Sequence, residues 1–167
     1  ILIVQHIPAV FSKAFAMRLN SLCPFTVKEA EDGEEVVSNT VYIAPGNTQM
    51  KGENLSGKLF IKITDDPPLN RFKPSVDYFF KSMVGIIPPK TVAVMLTGMG
   101  KDGSKEMLEL YKQGVATIAQ DKETSVVYGM PRAVIELGAA DFICALNDIP
   151  QKIVELVKKG QKFKRSI

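Results

Sequence analysis

Tryptophan is absent from these 167 residues, histidine occurs once and cysteine twice. A lone histidine and two distant cysteines provide no metal-ligand cluster at any familiar spacing. Cys23 and Cys144 are too few and too far apart for a disulfide framework, so both are expected as buried, reduced thiols. No apolar run approaches the roughly 18 residues needed to cross a membrane. The opening "ILIV" is too short for a signal-peptide core and follows no charged leader. These features predict a cytoplasmic chain with no direct membrane insertion. One-sided charge is scarce too: the net charge is +3. Much of the basic excess sits at Lys158, Lys159, Lys162, Lys164 and Arg165, which reads as a solvated terminus. Without a basic stripe interleaved with aromatics, no nucleic-acid partner is expected.

What is present is an alternation of strand and helix patterns. Residues 1–5 read as a strand, and 10–22 as a helix whose Phe11, Phe15, Leu19 and Leu22 should face the core. "FTVKEA" and "TVYIAP" read as short strands around the acidic group Glu29, Glu31, Asp32, Glu34 and Glu35, taken as a solvated loop. "QMKGENLSGKLFIKITDD" is a β-hairpin around a polar, glycine-bearing turn. The prolines of "DDPPLNRFKP" make a loop, and Ser75 caps a helix over 75–84 whose Phe79, Phe80 and Met83 pack into the core. Then come a strand at 91–97 buried on both faces, a helix at 104–112 stopped by Gly114, and a strand at 115–120. A helix at 130–138, the strand "DFICAL" and a final helix at 149–159 ended by Gly160 complete the chain. Buried strands alternating with helices predict a doubly wound α/β fold. Its sheet should be mostly parallel, with helices on both faces and a β-hairpin insertion, in one domain.

In such sheets, chemistry gathers beyond the carboxyl ends of the strands. Two candidates sit there: His6, after the first strand, and "TGMGKDG", after the strand at 91–97. Gly98 to Gly103 formally matches the dinucleotide fingerprint, and Asp121 lies about where a ribose-binding acid belongs. Against a nucleotide site stands Asp102, whose carboxylate would repel a diphosphate at the helix N-terminus. Asp102 could simply stabilise the helix dipole. An ionised acid there would also suit the orientation of an imidazole. His6 and Asp102 are therefore expected side by side, within hydrogen-bonding distance.

The segments "VQHIPAVFSKAFAMRLN", "VKEAEDGE", "YIAPGN", "NRFKPSVDYFF", "VMLTGMGKDG" and "YGMPRAVIELGA" resemble, in order, the catalytic domain of the bacterial chemotaxis protein-glutamate methylesterases, the CheB family. That resemblance implies hydrolysis of glutamate methyl esters on chemoreceptor cytoplasmic helices, and deamidation of receptor glutamines, without metal or cofactor. By position it makes His6 the general base and Asp102 its orienting acid, and puts a backbone contribution to the oxyanion hole at Met99. The family's nucleophilic serine lies in a G-x-S-T-G-G turn, and no serine here has that context. The expectation is a catalytic domain over 1–167 lacking its first strand–turn–helix unit, with the serine and the family's receiver domain upstream. A nucleotide-binding domain using Gly98–Gly103, and a non-catalytic receptor-binding module, are the competing readings.

Overall fold

Short apolar and β-branched runs build the first parallel sheet of the computed structural model, which describes residues 1–86 and 91–159. Strands β1 (Leu2–Ile3), β2 (Thr26–Glu29) and β3 (Thr40–Ile43) lie in the order β1-β3-β2. Leu2 pairs with Tyr42 and Val27 with Val41. Strand β1 is shorter than the apolar run predicts. Ladder bonds reach Ala44, whose N–H donates to Ile3 O, but the next residue is Pro45, which has no N–H to continue. The chain then turns sharply, with Ile7 N–H donating to Gln5 O at 2.8 Å.

Helix α1 (Ala9–Leu22) crosses this sheet with an unexpected face inward. Phe11 is 62% exposed and Leu22 70%, while Ser12 and Ala16 are buried. Ala16 packs with Val27, Val41 and Ile43, and Leu19 with Ile3 at the margin. The helical period holds, but two small residues let the helix approach closely, and they displace the larger stripe. Cys23, at the helix end, is also exposed rather than buried; both thiols are free. Burial pushes the Cys144 thiol up.

Strands β4 (Gln49–Leu55) and β5 (Lys58–Thr64) form the expected antiparallel hairpin, closing at the pair Leu55–Lys58. Its two turn residues, Ser56 and Gly57, both have positive φ, 54° and 85°. That is the turn whose twist matches paired strands. Helix α2 (Val76–Met83) packs on β4, and its cap is Ser75, whose hydroxyl accepts the Tyr78 N–H at 3.3 Å. Phe79 and Met83 are buried as expected, whereas Phe80 is only half-buried. These elements make up one compact unit, Ile1–Ile86.

The second unit, Ile87–Ile167, has its own parallel sheet. Strands β6 (Val92–Met95), β7 (Ala116–Gln120) and β8 (Phe142–Cys144) lie in sequence order. All of β7 is buried, as a central parallel strand requires. Strand β6 departs from expectation: only Ala93 and Met95 are fully buried, and Leu96 is exposed. Helices α3 (Ser104–Lys112) and α4 (Met130–Glu136) touch each other and β7. Gly114, at φ 86°, ends the turn after α3. Helix α5 (Ile149–Lys159) lays Ile149 and Leu156 on Ala116 and Ile118. Gly160 and the basic residues beyond it lie outside the described residues. Among the described residues, no helix is long and apolar enough to cross a membrane.

The hairpin turn gives a direct stability test. Asparagine tolerates positive φ better than serine, so Ser56→Asn should raise the unfolding free energy by about 0.5 kcal/mol in a urea titration.

Candidate active site

In the first unit, the exit of β1 is built around one buried hydroxyl. Ser12 Oγ donates to Glu29 Oε1 at 2.5 Å and accepts the Gly46 N–H at 3.0 Å, joining α1, β2 and the loop after β3. That loop comes so close to α1 that a Cβ on Gly46 would lie 2.3 Å from Ala9 N and 2.5 Å from Pro8 C. No side chain fits there. The peptide two residues beyond His6 is therefore wedged against backbone.

His6 itself is half-buried, and its ring lies flat on Phe72, with centroids 3.8 Å apart and planes 7° from parallel. Phe72 comes from the loop at 65–74, which has its own fastenings. Gln49 is fully buried; its amide donates to Pro67 O and Phe72 O, and its oxygen accepts the Ser75 N–H. Asn70 Nδ2 donates to Asp77 Oδ2 at 2.6 Å, and Lys73 pairs with Asp65. Leu69 and Phe72 exchange backbone hydrogen bonds around Asn70 and Arg71, both at positive φ. Arg71 is exposed and makes no ion pair or hydrogen bond with another described residue, so the bracing of this loop falls to its neighbours.

Four of the five acids of the acidic group are ion-paired, and the fifth, Glu29, accepts from Ser12. Lys28 bonds Glu31 and Glu34, Lys58 bonds Glu35, and Lys62 bonds Asp32. The hydrogen bond from Lys62, with one from the Ile63 N–H, holds the Asp32 carboxyl below its ordinary range; Lys28 does the same to Glu31. Among the described residues no cluster of histidine, cysteine or acids is placed to hold a metal ion.

In the second unit, the glycine turn after β6 carries Met99 and Asp102. Met99 is 78% exposed, whereas Asp102, two residues ahead of α3, is 1% exposed. Gly100 and Gly103 both sit at φ 88°, where side chains are strained. The turn is held from beneath. Gln120, buried at the end of β7, accepts the Thr97 N–H at 2.8 Å and donates to Thr124 O. It is held from above by the segment before α4: Gly98 N–H donates to Val127 O, and Gly98 O accepts from Gly129 and Met130. A Cβ on Gly129 would lie 2.7 Å from Gly98 O and 2.9 Å from Gly100 N. Asp121 caps its own turn, accepting from Thr124 N and Oγ1. The backbone N–H and C=O of Gly98 are thus taken up by the segment at 127–130, and a buried carboxylate lies where a diphosphate would sit. Both features count against a nucleotide site.

His6 belongs to the first unit, while Met99 and Asp102 share one turn of the second. Sequence reasoning missed Ser12, Gly46, Gln49 and Phe72. The signal available for Gln49 was a polar residue opening a strand just after a turn.

The class defined by these features is a mixed α/β protein whose candidate groups follow the carboxyl ends of parallel strands. Residues 1–153 match the family model described as CheB methylesterase. A protein-glutamate methylesterase/protein-glutamine glutaminase of Hydrogenovibrio crunogenus is 48% identical over 95% of this chain and 42% of its own length. One of the same name from Thermotoga maritima is 47% identical over 94% of this chain and 46% of its own. The crystal structure of the Thermotoga maritima CheB methylesterase catalytic domain superimposes with a TM-score of 0.89 at 46% identity, covering 93% of this chain and 82% of that one. The chain belongs to the CheB methylesterase family. It spans less than half the length of these curated relatives.

Two outcomes follow from this geometry. Gly46→Ala should lower the unfolding free energy by about 3 kcal/mol, because the clash is with backbone that has nowhere to move. NAD or ATP should leave the thermal midpoint unchanged, whereas a bound nucleotide would raise it by mass action.

Proposed function

We propose that this chain supplies the base and orienting acid of a serine-type acyl transfer that hydrolyses glutamate methyl esters, and deamidates glutamines, on chemoreceptor cytoplasmic helices. The observation that carries this reading is the pair of strand-exit groups in a chain of this family. One is the only histidine, stacked and half-buried. The other is a carboxylate withdrawn from water at a helix start.

His6 removes the proton of a serine as its oxygen attacks the ester carbonyl. Asp102 hydrogen-bonds the imidazole, fixes its tautomer and stabilises the imidazolium. Backbone N–H groups near Met99 receive the developing oxyanion, usually the largest contribution to such catalysis. His6 then protonates the departing methanol, and water repeats the sequence on the acyl-enzyme. The steps balance without metal or cofactor.

The serine comes, on this reading, from chain outside residues 1–167. Several of the described serines are occupied locally. Ser12 serves Glu29 and Gly46, Ser75 caps α2, and Ser104 donates to Lys101 O. Ser82 donates to Phe79 O, and Ser125 to Asp121 O. A receiver domain in the remaining length, and a cytoplasmic location, belong to the same reading.

The test is Asp102→Asn in the full-length protein, assayed by methanol release from methylated receptor. An amide can hold the wrong tautomer, so turnover should fall roughly 10⁴-fold with the fold intact. Activity within about threefold of wild type would leave Asp102 as a helix-terminal acid only.

A further inference from the structure

We propose that Phe72 is a positioning residue for His6, and that the buried Gln49 amide is what keeps it there. The inference rests on His6 acting as the base, and it adds to that role a cause for the ring's orientation.

An imidazole at a strand exit turns freely about its last side-chain bond unless something selects an angle. Planes 7° from parallel at a 3.8 Å centroid separation leave one ring face covered edge to edge. Rotation of His6 away from this angle would separate the two faces and admit water between them. A general base gains from such a constraint, because proton transfer needs the nitrogen lined up before the substrate arrives.

The stack is useful only if Phe72 is itself fixed, and its loop is held more firmly than an exposed loop needs. Gln49 grips both ends of it, through Pro67 O at 3.1 Å, Phe72 O at 3.2 Å and Ser75 N at 2.9 Å. Asn47 N–H adds a bond to Lys73 O at 3.2 Å. In return, Asn70 and Arg71 hold φ of 53° and 70°, a conformation that side chains enter reluctantly. Strain retained by a surrounding network is characteristic of segments that place a functional group. Here the tight turn delivers the very next residue, Phe72, onto His6. Phe72 touches the base rather than any reacting atom, so its effect should reach turnover and spare binding.

The experiment has two arms. In residues 1–167 the His6 ring protons are the only imidazole signals. The Phe72 ring current should displace them upfield, the displacement should vanish in Phe72→Leu, and it should persist in Phe72→Tyr. In the full-length protein, Phe72→Leu should lower kcat for methyl-ester hydrolysis about tenfold, with KM within about twofold. Phe72→Tyr should restore kcat to within about twofold, and equal melting temperatures would separate positioning from folding. Unshifted His6 protons in the wild type would overturn the stack. A Phe72→Leu enzyme with unchanged kcat, beside an inactive His6→Ala, would overturn the positioning role alone. An active His6→Ala would overturn the base assignment and this proposal with it.

Discussion

Ser12 carries a hydroxyl into a fully buried position, and three pieces of the first unit are fixed by how that hydroxyl is satisfied. A buried polar group left without a partner costs about 1–3 kcal/mol. Sliding α1 by one residue would break the bonds to Glu29 and to Gly46 together. The helix is therefore registered on its sheet by polarity and close approach, while its phenylalanines stay outside. Because α1 begins three residues after His6, the same register sets where the strand exit can run.

The second unit solves a similar problem with an amide. Gln120 and Gln49 are both fully buried, each next to a loop that carries or supports a candidate group. A carboxamide offers donors and an acceptor in one plane without ionising, so it can fasten backbone of both polarities inside a core. A carboxylate at either position would accept only, and would leave loop carbonyls facing a charge.

The order and type of the elements were legible because strand and helix periods differ and because glycine, proline and serine punctuate them. The β-hairpin, the Ser75 cap and the Gly114 stop follow from local chemistry alone. His6, Met99 and Asp102 were legible as residues beyond strand ends. What could not be read was the inward face of α1, since a strong aromatic stripe outweighs two small residues in any pattern of hydrophobicity. Nor could the sequence announce that Phe72 lies on His6. That contact joins residues 66 positions apart through a loop whose shape depends on Gln49, and no periodicity encodes it.

The interlocking of Gly98 with Gly129 bears on how such a protein can change over time. Neither glycine stands in open space: one faces Met130 and the other faces the first one's own carbonyl. At Gly129 a single substitution has no gradual route to tolerance, because its neighbours are backbone, so the "YGMP" segment is constrained by the "TGMG" turn it presses on. Anyone grafting this turn onto another scaffold would need to move both segments together, although 31 positions separate the two glycines in the chain.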